Sequence, residues 1–177
     1  MSYERAGQIC HKKNGNAVAH KKNGGVAIIY KKTGNGLGAA TFTISWGSGD
    51  KDLDLCAYWY GNEDGAVGWN HSSQSASPYE ASWGGDNTSE GGSETITAKM
   101  TPWKFSGARR FYIKCNFYGE SEGAGTCNVT VTSGSGKTKT VNGVSCSKNR
   151  GTRATTGDPG VVATFDDLGE IVSLTTA

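Results

Sequence analysis

Apolar and polar residues alternate along most of the chain. Phe42, Ile44 and Trp46 fall on one side of a two-residue period, with Thr41, Thr43 and Ser45 on the other. Leu53, Leu55, Ala57 and Trp59 repeat the pattern, as do Ile96, Ala98 and Met100. So do Phe111, Ile113, Cys115 and Phe117, then Cys127, Val129 and Val131. Short apolar stretches at 161–165 and 171–174 close the chain. Successive side chains of a strand point to opposite faces, so this period, punctuated by Gly, Ser and Asn, predicts antiparallel strands with one buried face. Strands of this length and spacing predict an antiparallel β-sandwich over residues 41–177. Folding 111–131 as a hairpin about Ser121 makes Cys115 and Cys127 cross-strand neighbours on the buried face.

Residues 1–40 read differently. Cys10-His11-Lys12-Lys13-Asn14-Gly15, Ala19-His20-Lys21-Lys22-Asn23-Gly24 and Ile29-Tyr30-Lys31-Lys32-Thr33-Gly34 are copies of one motif. Asn-Gly accepts the positive φ angles of a tight hairpin turn, so the copies predict a small β-meander over roughly residues 7–38. Neighbouring lysines on a strand point to opposite faces. Lys12, Lys13, Lys21, Lys22, Lys31 and Lys32 therefore leave neither face wholly apolar, and a meander of this size is marginal alone in water. The segment is expected to need a partner surface. His11 and His20 occupy equivalent repeat positions and read as surface residues.

Composition agrees with an all-β chain and narrows the classes. There are 27 glycines and 3 prolines among 177 residues, with 5 Trp and 7 Tyr. Residues that fill helix surfaces are scarce, which argues against a helical bundle, and the aromatic content is too rich for disorder. The longest apolar run, Val26 to Tyr30, is far short of the ~18 residues of a spanning helix. No secretory signal pattern opens the chain, which implies synthesis in the cytoplasm. Five cysteines without CxxC spacing then imply buried free thiols in a reducing compartment.

The net charge of +2 conceals segregation: +6 over residues 1–40, −7 over 41–100 and +3 over 101–177. Blocks of opposite sign imply that one part meets another, within the chain or on a second copy. Nucleic-acid readers carry basic charge without so acidic a centre, so no nucleic-acid partner is expected.

The candidate chemistry lies in the acidic block. In Asp50-Lys51-Asp52-Leu53-Asp54-Leu55, read as a strand, the three aspartates share one face at about 7 Å spacing. A cation relieves their repulsion, and calcium, which takes six to eight oxygens in loose geometry, is the natural occupant. A second acidic, glycine-rich loop at 84–94 carries Asp86, Asn87 and Glu94. A solvated acidic edge that discourages strand pairing is the other reading.

The stretch Gly49-Asp50-Lys51-Asp52-Leu53-Asp54-Leu55, with Gly85-Asp86-Asn87 and Gly91-Gly92-Ser93-Glu94, resembles the TerD-type tellurium-resistance and stress proteins. It is also similar to the Asp-Leu-Asp-Leu strand and acidic loop of extracellular calcium-dependent sandwich modules. The resemblance covers roughly residues 41–132. It implies a β-sandwich holding calcium between the two loops, on Asp50, Asp52, Asp54, Asp86 and Glu94, with Asn87 as a further oxygen donor.

Other motifs carry less. Gly134-Ser135-Gly136-Lys137-Thr138 ends like a phosphate loop, but Val131 stands where its first glycine belongs and no helix pattern follows. His71 with Ser72 and Ser73 reads as a polar loop. Tyr58, Tyr60, Tyr79 and Trp83 could stack on sugars or anchor a partner if exposed; core filling is the plainer reading. No acid, base and nucleophile set is recoverable, so an enzyme is not expected. Three readings remain: a structural subunit that self-associates or docks on a larger assembly such as a virion (capsid decoration, tail or fibre); a carbohydrate- or surface-binding module; and a cytosolic TerD-like stress protein.

Overall fold

The computed structural model describes residues 2–5, 8–13, 17–22, 25–30, 38–76, 79–100, 109–117, 125–148, 156–157, 159–166 and 169–177. They form two compact units, residues 1–35 and 36–177.

The first unit is a four-stranded antiparallel sheet. Strands β1 (Ser2–Arg5), β2 (Gln8–Lys13), β3 (Ala17–Lys22) and β4 (Gly25–Tyr30) lie side by side in chain order. The Asn-Gly repeats end at the strand junctions; the turns 14–16 and 23–24, and Lys31 and Lys32, lie outside the described residues. Lys12 pairs with Val18, Lys13 with Ala17 and Lys22 with Gly25. His20 faces Cys10 whereas His11 faces Ala19, so the two repeat histidines are one position out of register.

The second unit is an antiparallel β-sandwich. One sheet runs β13 (Thr138–Ser145), β12 (Thr126–Ser133), β5 (Ala39–Ser45), β10 (Ser93–Met100), β9 (Tyr79–Trp83), β8 (Ser73–Ala76). The other runs β16 (Ile171–Thr176), β15 (Val161–Phe165), β11 (Arg110–Phe117), β6 (Leu53–Trp59), β7 (Asn62–Val67). A two-residue β14 (Ser147–Lys148) joins β11 in parallel. The alternation seen in the sequence sorts as expected: Phe42, Ile44, Leu55, Trp59, Ile96, Phe111, Ile113, Val129 and Val131 fill one core between the sheets. Phe111 is at its centre, with ring centroids 4.8 Å from Phe42 and 4.9 Å from Tyr79. Removing such a ring costs about 3–5 kcal/mol.

Two expectations fail. Strands β11 and β12 are not a hairpin; they belong to opposite sheets, and β11 pairs with β6 and β15 while β12 pairs with β5 and β13. The five cysteines are not all thiols either. Cys115 forms a disulfide with Cys146, just after β13, leaving Cys56 and Cys127 as buried free thiols among the described residues. Alternation assigns a face to each residue but does not say which strand lies opposite.

Candidate metal centre

The acidic site forms where two turns meet at one end of the sandwich. The chain leaves β5 at Trp46 and turns, with Asp50 N–H donating to Gly47 O at 3.0 Å. The long loop between β9 and β10 closes on this turn: Gly91 N–H reaches both Gly47 O and Asp50 O, and Trp46 N–H donates to Gly92 O at 3.1 Å. The loop is braced from inside by Asn87. Its Oδ1 accepts Ser89 N–H at 3.0 Å and its Nδ2 donates to Ser93 O at 3.1 Å. Trp46 Nε1 donates to Ser89 O at 3.0 Å.

This construction brings together Asp54, Asp86 and Glu94, with one carboxylate oxygen from each lying within 4.8 Å of the others. Glu94 comes from the inward face of β10, Asp54 from the start of β6 in the opposite sheet, and Asp86 from the exposed loop. Glu94 is 2% exposed and held by three N–H donors: Leu55 N at 2.8 Å and Trp83 Nε1 at 3.0 Å on Oε2, and Asn87 N at 3.2 Å on Oε1. Asp54 is 9% exposed, and among the described residues no donor reaches its carboxylate.

The electrostatics follow from that difference. Burial pushes the Asp54 carboxyl up to about 7, and the negative charges of Glu94, Asp52 and Asp86 add to the rise. Burial also lifts Glu94 to about 7, against the lowering effect of its three donors. Buried anions at this spacing need a proton or a cation between them. A further buried polar side chain lies on the strand next to Asp54. Asn116, 2% exposed, stands opposite Asp54 in the β11–β6 pairing, and among the described residues its Oδ1 has no hydrogen-bond partner. An all-oxygen donor set of this kind, with an orphaned acceptor, fits a hard cation such as calcium, water supplying remaining positions.

Asp50, Asp52 and Asn87 are not part of the carboxylate group that Asp54, Asp86 and Glu94 form, although the charge of Asp52 acts on Asp54. Asp50 and Asp52 precede the strand, which starts at Leu53, and Asp52 has a φ of 58°; the left-handed backbone there breaks the period that placed three aspartates on one face. Asp50 lies over Gly125, where an added Cβ would sit 3.1 Å from its Oδ1. Asn87 shapes the loop: its side-chain oxygen is spent on Ser89.

The aromatic residues do not form a stacking platform. Tyr79 is in the core against Trp59 and Phe111. Tyr58 is buried on the other face of its sheet, stacked on Tyr112 at 5.0 Å, and its hydroxyl accepts Gly157 N–H. Tyr60, 49% exposed, follows the far end of β6 from Asp54. Trp83 is half-buried and serves the acidic site by bonding Glu94. His71 is tied to its own loop, with Nδ1 bonded to Ala66 O. The 133–137 segment is the β12–β13 turn, closed by Ser133 N–H to Lys137 O at 2.8 Å.

No family model matches the chain, and no curated protein matches it. Among solved structures it is similar to one titled "Crystal structure of unknown function protein SAV2460", at 14% identity and a TM-score of 0.45, over 80% of this chain and 88% of that one.

Proposed function

We propose that this protein is a non-enzymatic, calcium-binding β-sandwich that works by assembly, with its own copies or on a larger structure. The observation that carries the calcium reading is the meeting of Asp54, Asp86 and Glu94 from two sheets and a loop, with Asp54 buried and, among the described residues, without a donor. The TerD-like Asp-Leu-Asp and Gly-Asp-Asn motifs are consistent with the same ion. Calcium here is a structural ion: it neutralises the buried carboxylates and ties the loop to both sheets.

The assembly reading rests on the first unit. Four short strands rich in Lys, Ala and Gly, with paired lysines in β2 and β3, offer little apolar area to offset backbone ordering of about 1–2 kcal/mol per residue. The remaining acidic residues of the 41–100 block, outside the buried Asp54 and Glu94, supply complementary charge, and met on a second copy they would make a head-to-tail contact that can propagate.

Titration calorimetry of chelator-treated protein with calcium, alongside thermal melting, tests the ion. Heat at one site and a rise in melting temperature are expected, since an ion that binds only the folded state stabilises it. Absence of both refutes the calcium reading.

A further inference from the structure

A second cluster of ligand-type side chains lies in the core. Cys115 on β11, Cys127 on β12 and Cys146 are all buried, and their three sulfurs lie within 4.8 Å of one another. The disulfide accounts for two of them, while Cys127 is a free thiol beside it. The topology explains the convergence. Cys127 faces Val144 in the β12–β13 pairing, and Cys146 N–H donates to Gly125 O at 2.9 Å, which sets Cys146 diagonally from Cys127. The chain then crosses to the other sheet, where Ser147 pairs with Asn116 next to Cys115. Asp50, on the 47–50 turn, has its carboxylate over Gly125, two residues before Cys127.

We infer that reduction of the Cys115–Cys146 disulfide opens a zinc-class site on Cys115, Cys127 and Cys146, with water or a carboxylate from the neighbouring turn taking the fourth position. Thiolates are soft ligands that select d10 ions such as zinc, and carboxylate is an accepted companion. With Zn–S bonds of about 2.3 Å, sulfurs around a tetrahedral ion lie about 3.7 Å apart. The bonded pair has to open and Cys127 to approach by roughly 1 Å, which is within side-chain adjustment. A structural disulfide needs two sulfurs; the third is what makes a ligand set.

The chemistry balances with a dithiol reductant. It delivers two electrons and two protons, the Cys115–Cys146 bond breaks to two thiols, and the dithiol becomes its own disulfide. Zinc then forms three S–Zn bonds as three thiol protons pass to solvent. Unpaired thiolates in this apolar surrounding are costly, so proton loss and ion entry occur together. Oxidised protein has one thiol here and is closed to the ion, so the cluster exchanges one sheet-to-sheet staple for another according to redox state.

The experiment uses the full chain, reduced anaerobically with a dithiol that is then removed, and titrated with Co²⁺ as a spectroscopic probe and with Zn²⁺. Reduced protein is expected to give thiolate-to-cobalt charge-transfer and tetrahedral d–d bands saturating at one equivalent, displaced by zinc. Oxidised protein and reduced Cys127→Val, close to isosteric, should bind at least tenfold more weakly, while Cys56→Ala is unchanged. Circular dichroism follows the fold. If reduction unfolds the chain, zinc must restore it. A reduced protein that gives no bands and no zinc-dependent fold or melting shift overturns the inference, as do full bands in Cys127→Val. Calcium binding at the acidic site is measured separately in the oxidised protein, so failure of one site leaves the other to be judged alone.

Discussion

Asn116 stands opposite Asp54 in the pairing of β11 with β6, and among the described residues the buried Oδ1 of Asn116 receives no hydrogen bond. A buried acceptor without a donor costs about 1–3 kcal/mol. Asn116→Val removes that cost in calcium-free protein, so its melting temperature in chelator is expected to equal or exceed that of the parent. If Asn116 contributes to the ion site, the calcium-induced rise in melting temperature shrinks in the same variant. Paired melts with and without calcium decide it; a destabilised variant with an undiminished calcium response contradicts the assignment.

Asp54 and Glu94 give the calcium-free protein a distinctive pH dependence. Their folded pKa values, about 7 for each, lie above the ordinary 3.8 and 4.5. The folded state therefore holds more protons than the unfolded chain between about pH 4 and 7, and stability contributed by these groups falls as pH rises through that window. Chelator-treated protein is expected to lose melting temperature across it, and Asp54→Asn to lose less. Calcium competes with the protons, so its affinity should rise over the same range. Differential scanning calorimetry with and without calcium at several pH values measures both trends.

Gly92 is the tightest point of the loop. A Cβ there would lie 2.6 Å from Trp46 Cζ2 and 3.0 Å from Asn87 Nδ2, the two side chains that brace the loop. Gly92→Ala is expected to cost about 1–3 kcal/mol, in the range of overpacked sites, and to weaken calcium binding by displacing Asn87 and the loop that carries Asp86. Gly49→Ala is the control, since no atom lies within 4 Å of its added Cβ. Chemical denaturation of both variants provides the comparison.

The two-unit division yields an assembly test. Removing residues 1–35 leaves β5 intact from Ala39 onward, so the truncated chain is expected to fold, melt cooperatively and bind calcium as the full chain does. Light scattering after size exclusion should show the full chain associating at low salt, less so at high salt where charge contacts are screened, and the truncated chain monomeric. Equal association of the two chains refutes the assembly role of the N-terminal sheet.

The sandwich was legible because burial writes a two-residue period into each strand, and Phe42, Ile44, Leu55, Ile96, Phe111 and Val129 all carry it. Strand partners were not, because hydrogen bonding between strands leaves no mark on either sequence alone; hence the false 111–131 hairpin and the missed Cys115–Cys146 pair. At the acidic site, the aspartate run ending at Asp54 and the 84–94 loop were readable from charge and glycine content, and the resemblance to TerD-type proteins pointed to Asp86 and Glu94 within that loop. The single face assigned to Asp50, Asp52 and Asp54 misled because alternation was extended past the point where the backbone turns left-handed at Asp52. Asn116 went unnoticed as one more polar position in an alternating strand, since only the register reveals that it faces Asp54.

The bond from Leu55 N to Glu94 Oε2 joins β6 to β10, residues 39 apart in sequence and in different sheets. A cation site hung on that bond has no local precursor: neither acidic segment can hold the ion until the two sheets have closed on each other. On the calcium reading proposed above, an ion would have little to grip in a partly folded chain and would stabilise mainly the finished structure, so its expected effect is on the unfolding rate rather than the folding rate. Such an ion would be a late latch, making the sandwich slow to open without making it quicker to form.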